Sequence, residues 1–170
     1  MAQRISLREY QQNLSERLKT AEASDAAGSR LGIEAGNERW LLDLTDAGDV
    51  VTLPQLERVP LTKPWFAGMA NVRGNLYAII DFSAFLGAAP VPPSEQTRVL
   101  LIAERHRINS GLLVSRVIGL RPADTMRPQQ GGAPAAPWLS KEFIDDDGCT
   151  WKLLDVGALV NSPEFLHIEQ

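Results

Sequence analysis

The sequence has little of what covalent cross-linking or membrane insertion requires. Its 170 residues include one cysteine, Cys149, so no internal disulfide can form, and we interpret that side chain as a small buried hydrophobe. No stretch approaches the roughly 18 consecutive apolar residues of a membrane span. Charged residues also stand at the N-terminus where a signal peptide would carry its apolar segment. We therefore expect a cytoplasmic protein with no direct membrane insertion.

Positive charge is scarce relative to negative charge. The formal net charge is -4, whereas a nucleic-acid partner would call for a basic stripe that displaces counterions from phosphates. Basic residues interleaved with aromatic ones, as a single-strand binding platform requires, are also missing. We expect a protein partner and no nucleic acid. A small barrel that binds RNA or an oligosaccharide stays open as an alternative, which a flat salt dependence and the absence of filter binding would dismiss.

Residue types that carry catalytic chemistry are few and poorly placed. The two histidines, His106 in a charged turn and His167 near the C-terminus, are interpreted as surface residues. Aspartates occupy residues 145–147, but the twelfth position counted from the first of them is Val156, where an EF-hand needs a glutamate. We interpret this cluster as a hairpin turn and expect no metal, no cofactor and no catalysis. A metal-dependent hydrolase that uses the cluster is the remaining enzymatic alternative.

Short apolar runs, rich in β-branched residues and separated by turn residues, dominate the rest of the chain. No helical pattern of ten residues lies between consecutive runs, which favours a mainly β protein of the small-barrel or sandwich class. The predicted strands are residues 39–45, 49–53, 56–59, 69–72, 76–80, 98–103, 112–117 and 149–154.

The N-terminal residues predict an amphipathic helix. Ser6 and Glu9 form a capping-box pattern, and an apolar face then runs through to about Lys19. A small, polar stretch follows and reads as a linker that ends at residue 30. We interpret the helix as an appendage packed on the main body, with a partner-binding helix as the alternative. The main domain is predicted at residues 31–168.

Two segments, residues 80–87 and 154–161, match position by position in residue type. In each, an aspartate (Asp81 or Asp155) is placed to cap a short helix, and Gly87 or Asn161 is placed to end it. The echo predicts two similar halves. The proline-containing residues 88–96 read as the connector between them, and residues 127–137 read as a mobile surface loop.

The segment 61–87 contains a tight hairpin. Pro64 suits the first turn of a short helical segment. Gly74 followed by Asn75 lies between two apolar runs and predicts a type II′ turn, with Arg73 at its lip pointing at water or at a partner. On the residues alone, Arg73 is a solvated turn residue.

The same segment carries a resemblance to a known family. Residues at fixed offsets resemble the signature of the CheW family, and the resemblance extends over about residues 31–166. The matching positions are Val59, Pro60, Pro64, Gly68, Asn71, Arg73, Gly74, Ile80 and Asp81.

The resemblance implies a fold of two packed SH3-like β barrels and no catalysis. It also implies a scaffold that joins the cytoplasmic tip of a chemoreceptor to the regulatory domain of a CheA-type histidine kinase in membrane-associated arrays. Carried onto this chain, it makes Arg73 the main receptor-facing residue, with Asn71 shaping the hairpin beside it. Asp49 and Val51 are expected on the kinase side. The residues expected to set the shape are Pro64, Gly68, Gly74, Asp81 and Asp155.

The chain departs from the flagellar pattern of the family in several places. Val114-Ser115 stands where a valine-aspartate pair is usual, and Asp49 lies near a position that is usually glutamate. The extra N-terminal helix and the 127–137 loop exceed a minimal member. These features resemble the members of type IV pilus twitching systems, with a flagellar chemotaxis adaptor as the alternative.

Overall fold

The computed structural model describes residues 29–122, 125–131 and 133–170. These residues form eleven strands and three short helices, so the chain is mainly β, as predicted. The predicted N-terminal helix lies outside the described residues. No helix among the described residues has the length and apolar character that a membrane crossing demands. The elements are β1 (Ser29–Ala35), β2 (Glu38–Asp43), β3 (Ala47–Thr52), β4 (Phe66–Val72), β5 (Asn75–Asp81), α1 (Phe82–Phe85), β6 (Arg98–Ile102), β7 (Ser110–Val114), β8 (Arg116–Pro122), β9 (Arg127–Gln129), β10 (Leu139–Ile144), β11 (Thr150–Leu154), α2 (Val156–Val160) and α3 (Pro163–Leu166).

The strands form two sheets that share one five-strand arrangement, to which sheet A adds β9 at its edge. Sheet A has the order β8-β1-β2-β11-β10-β9, and sheet B has the order β3-β6-β7-β5-β4. Read from the left, both sheets have two antiparallel steps, one parallel step and then an antiparallel step. The internal echo in the sequence therefore reflects a repeated strand arrangement.

The repeat is not divided where the sequence predicts. Residues 88–96, predicted to connect two halves, instead join α1 to β6 within sheet B. Sheet A takes β1 and β2 from the start of the described chain and its other strands from the end. The two sheets thus have the same strand order in space, but the chain enters that order at different points, so they are circular permutations of each other. A comparison of consecutive halves of the sequence cannot detect this relationship.

The helix caps of the repeat are confirmed. Asp81 Oδ1 accepts from the Ala84 amide at 3.0 Å, and Asp155 Oδ1 accepts from the Ala158 amide at 2.9 Å. Gly87 has a left-handed φ of 87°, as expected. Asn161 does not, because its φ is -96°. Its side-chain amide instead donates to the carbonyl of the preceding helical turn.

A second echo escaped the sequence analysis. A Pro-Trp pair precedes both β4 and β10, and the carbonyls of Trp65 and Trp138 accept from the amides of Asp81 and Asp155, each at 2.8 Å. Phe85 lies between the two indoles, with ring centroids 5.1 and 5.2 Å away. This aromatic cluster packs the equivalent corners of the two units together.

Pro64 was predicted to begin a short helical segment, which the structure contradicts. The Phe66 amide donates to the Lys63 carbonyl at 2.9 Å, so Pro64 occupies the second position of a β-turn that leads directly into β4. The fixed φ of proline suits that position as well as it suits a helix start.

Several strand predictions also need correction. Residues 56–59 make only an isolated bridge, between Glu57 and Met69. The predicted strand 112–117 is two strands, β7 and β8, separated at Ser115. Strands β1 and β10 had no counterpart in the prediction, and β1 begins at Ser29, inside the predicted linker. Strand β9 lies within the predicted 127–137 loop and pairs with β10.

Three apolar clusters fill the fold. The first lies between the two sheets and takes residues from both, including Trp40, Ile80 and Leu112. The second belongs to sheet B and contains Val99. The third belongs to sheet A, where Trp151 is its largest side chain. Alternate residues of one strand serve different clusters, as in β11, where Leu154 joins the first cluster and Trp151 the third.

Candidate functional site

The predicted contact residue Arg73 lies within the turn that joins β4 and β5. Val72 and Asn75 are cross-strand partners, so Arg73 and Gly74 are the two central residues. Their φ angles are 52° and 86°. Positive φ at both positions defines a type I′ turn, and the predicted type II′ turn is therefore wrong. The error arose because Asn75 belongs to β5 rather than to the loop.

The turn is held by a side chain of β4. Asn71 Oδ1 accepts a hydrogen bond from the Gly74 amide at 3.0 Å. Left-handed backbone is unfavourable for a residue with a Cβ, at about 1–3 kcal/mol, so Arg73 depends on its surroundings to keep this conformation. The result is an arginine held at the end of a hairpin with its side chain 76% exposed.

Arg73 has an intramolecular partner, which the sequence did not predict. One of its terminal nitrogens lies 2.6 Å from Asp49 Oδ2, while the other carboxylate oxygen accepts from the Val50 amide at 2.8 Å. A bulge in β3 between Ala47 and Val50 contains Asp49. The structure thus brings together two residues that the sequence assigned to different partners.

Val51 does not lie on an exposed apolar patch. It is half-buried, faces Val99 across β3 and β6, and packs against the sheet B cluster. The exposed apolar side chains of this region are Val50, at 37% exposure, and Leu76, at 56%. Leu76 lies opposite Asn71 in the β4–β5 hairpin. The apolar surface available beside Arg73 therefore comes from these two residues.

Gly68 is required where sheet B closes on itself. Glu57 and Met69 exchange two backbone hydrogen bonds of 2.8 Å, which join the segment after β3 to the free edge of β4. Gly68 has a φ of 142°, and a Cβ there would lie 2.6 Å from the Glu57 carbonyl oxygen. Only glycine permits this close backbone approach.

Asp81 has a second function besides its cap. It is 5% exposed, and its Oδ2 accepts from the Val91 amide at 2.8 Å. This bond fixes the loop that returns from α1 to β6. Asp81 is therefore a structural residue of sheet B, as expected.

The other polar residues considered in the sequence also have structural partners. His106 is not a surface residue, since its side chain is 12% exposed and its Nε2 lies 2.7 Å from Asp46 Oδ1. Arg105 binds the same carboxylate. His167 is exposed, as predicted. The His106–Asp46 contact ties the β6–β7 turn to the β2–β3 turn.

The aspartate cluster forms the predicted hairpin turn between β10 and β11. Asp145 Oδ1 accepts from the amides of Asp147 and Cys149, and Oδ2 accepts from the Trp151 indole at 2.8 Å. The indole bond first, and then the amide bonds, hold the pKa of Asp145 below its usual range. Within the described ranges, no group of three or more His, Cys, Asp or Glu side chains is arranged to hold a metal ion.

A groove of about 820 Å³ runs beside the segment between β3 and β4. Leu61 lines it with 81% exposure and a left-handed φ of 58°. The Leu61 carbonyl accepts from the Gln170 amide, and the Lys63 amide donates to the Ile168 carbonyl. This feature was not predicted, because a leucine between Pro60 and Thr62 gives no local signal of exposure.

Comparison with known proteins gives consistent results. Residues 30–164 match the family described as the CheW-like domain. Protein PilI of Pseudomonas aeruginosa is 31% identical over 144 residues, which cover 82% of this chain and 79% of PilI. Chemotaxis protein CheW of Klebsiella aerogenes is 27% identical over 161 residues, which cover 88% of this chain and 94% of that protein.

A solved structure supports the fold. The scaffolding protein TtCheW from Thermoanaerobacter tengcongensis superposes with a TM-score of 0.66 at 18% identity, and the match covers 81% of this chain and 94% of that one. The two sheets described above fit the predicted pair of SH3-like barrels.

Proposed function

Because the chain belongs to the CheW-like domain family, we propose that it is a non-catalytic adaptor that couples a chemoreceptor-like protein to a CheA-type histidine kinase. In this proposal it acts at membrane-associated receptor arrays and controls type IV pilus twitching motility. The identity to PilI, 31% against 27% for a chemotaxis CheW, favours the pilus system. A flagellar chemotaxis adaptor is the second candidate, which the CheW match supports.

The observation that carries the proposal is the display of Arg73 at the β4–β5 turn. Its guanidinium has five N–H donors, and the contact with Asp49 is made through one of its nitrogens. Donors that remain can bind a carboxylate on a receptor helix, with the planar geometry that favours two parallel hydrogen bonds. Leu76 and Val50 add apolar contact area on either side.

The kinase side is proposed at Asp49 and at the apolar residues next to it. Val51 is half-buried and contributes through packing, so Val50 is the exposed apolar side chain of β3. Since Asp49 also binds Arg73, receptor and kinase surfaces would adjoin at this ion pair.

Arg73→Glu tests the receptor contact. We expect capture of the receptor cytoplasmic tip to fall at least about tenfold, since a carboxylate replaces the donor and repels an acidic receptor side chain. The melting temperature should change little, because an exposed ion pair contributes only about 0–1 kcal/mol. Arg107→Glu is a matched control, since Arg107 is exposed and has a φ of 55° in another turn. Wild-type receptor capture by the Arg73 variant would contradict the assignment.

Asp49→Ala separates two functions of the carboxylate. If Asp49 contacts the kinase, capture of the kinase regulatory domain falls while receptor capture is retained. If Asp49 only holds Arg73, receptor capture falls and kinase capture is retained, and Asp49 would then leave the kinase surface.

The choice of pathway needs a direct comparison of kinases. We expect the immobilised protein to capture a pilus-type CheA-like kinase from its own cells in preference to a flagellar-type kinase. Capture of the flagellar-type kinase alone would favour the second candidate.

A further inference from the structure

Sheet A carries a group of three arginines on the face that bears Phe143 and Trp151. The guanidinium carbon of Arg30 lies 4.9 Å from the centroid of the Phe143 ring. The guanidinium carbons of Arg39 and Arg121 lie 5.5 and 5.4 Å from the centroid of the Trp151 ring. Both rings are buried, with 7% and 1% exposure. We call Arg30, Arg39 and Arg121 the arginine cluster.

Two members of the arginine cluster are direct cross-strand neighbours. Arg30 on β1 faces Arg121 on β8 in the antiparallel register. Like charges in such a position destabilise a sheet. Contact with aromatic rings offsets part of this cost. The arrangement still places two arginines opposite each other on neighbouring strands.

Among the described residues, no carboxylate lies within 4.0 Å of these three guanidinium groups, although other basic side chains, such as Arg116 and Lys152, have one. Asp43 lies opposite Arg30 on β2, but its Oδ1 accepts two hydrogen bonds from Thr45. From beyond that distance, Arg30 still attracts the Asp43 carboxylate and Arg39 attracts the Asp145 carboxylate. The cluster therefore holds three guanidinium groups without a direct ion pair to a described carboxylate, on a chain with a net charge of -4.

The geometry points to a partner with two carboxylates at a fixed spacing. Cross-strand side chains have Cβ atoms about 4.5–5.5 Å apart. Residues four apart on a helix have Cβ atoms about 5–6 Å apart. A guanidinium held against a ring keeps its N–H edge available for a carboxylate.

We propose that Arg30 and Arg121, assisted by Arg39, bind an acidic helical segment of a partner protein that has two carboxylates one helical turn apart. This surface belongs to sheet A, whereas the Arg73 turn belongs to sheet B. The proposal does not depend on the receptor assignment of Arg73.

Fluorescence anisotropy with the full chain tests the proposal. The probe is an alanine-rich helical peptide with two glutamates four residues apart, and the matched peptide has glutamines at those positions. We expect binding of the glutamate peptide at low salt, weakening as salt is added, and no binding of the glutamine peptide. Equal binding of the two peptides, or binding of neither, would overturn the proposal.

Variants locate the surface. The Arg30→Gln/Arg121→Gln protein should bind the glutamate peptide about tenfold or more weakly, as expected from losing charge-assisted hydrogen bonds. Arg58→Gln/Arg107→Gln also removes two positive charges, at exposed arginines outside sheet A, and should alter affinity less than about twofold. Equal losses in both proteins would mean that only net charge matters and would refute the site. If the double variant does not fold, Arg121→Gln alone, at an exposed residue, is the deciding protein.

Two further measurements distinguish this site from a lipid-binding surface and from the Arg73 turn. Vesicles that contain phosphatidylserine should not be bound, and binding of vesicles without binding of the peptide would make this a lipid surface and overturn the proposal. Arg73→Glu should bind the peptide as the wild type does, so failure at one surface is distinguishable from failure at the other.

Discussion

The β4–β5 turn of sheet B and the β10–β11 turn of sheet A occupy equivalent places but use their polar side chains differently. In sheet B, Arg73 points outward and reaches Asp49 on β3. In sheet A, Asp145 accepts bonds from its own turn and from the indole of buried Trp151. The comparison shows that one strand arrangement can support either an exposed contact residue or a turn closed by internal bonds.

Glycine-to-alanine changes should give the largest difference between the two sheets in the free energy of unfolding, because Gly68 lies where sheet B closes. Gly68→Ala places a Cβ against the Glu57 carbonyl at a φ that alanine rarely adopts, so we expect a loss of about 3 kcal/mol or more in the free energy of unfolding. In sheet A, a Cβ on Gly32 would meet a Trp151 ring carbon at 3.0 Å without a left-handed φ. Gly32→Ala should cost less, about 1–2 kcal/mol. Urea unfolding of both variants measures the difference, and an equal loss would contradict the closure argument.

Removal of the two helix caps should give a smaller difference in the free energy of unfolding. Asp81→Ala leaves two amides without acceptors, one of them in a buried bond, and should cost about 2–3 kcal/mol. Asp155→Ala removes one exposed cap bond and should cost about 1 kcal/mol. Thermal and urea unfolding compare the two proteins. A larger loss at Asp155 would show that the caps do not differ as their contacts suggest.

The smallest effect on the free energy of unfolding is expected when Asp145 is protonated in acid. Its pKa is lowered by the Trp151 indole and then by the Cys149 and Asp147 amides. The unfolded chain therefore binds the proton more readily, and the stabilisation is present above the ordinary aspartate pKa of about 4 and is lost as pH falls through the folded value. Wild type should therefore be more stable than Asp145→Asn above about pH 4, and the difference between their free energies of unfolding should shrink as pH falls below that value. A deficit that widens in acid would reverse the assigned direction.

Local patterns predicted local features well. The Asp81 and Asp155 caps depend on residues three apart, and the structure contains both. The position of Arg73 at a hairpin also followed from the two apolar runs around it. The receptor and kinase assignments remain predictions.

Predictions failed where distant segments decide the conformation. Strand β1 lay partly in a predicted linker; it forms a local hairpin with β2, but its other neighbour, β8, is more than eighty residues away in the sequence. His106 was read as exposed because nothing near it in the sequence reveals the approach of Asp46. The ion pair of Arg73 with Asp49 was missed for the same reason.

The sequence by itself determined the β class, the capped helices, the hairpin at Arg73 and the family to which the chain belongs, because turn chemistry, capping and motif offsets are properties of neighbouring residues. Only the tertiary structure decided that sheet A is assembled from both ends of the described chain, that Arg73 pairs with Asp49, and that Arg30 faces Arg121. Strand pairing brings residues together irrespective of their separation along the chain, so charge and burial at those places are fixed only when the sheets form.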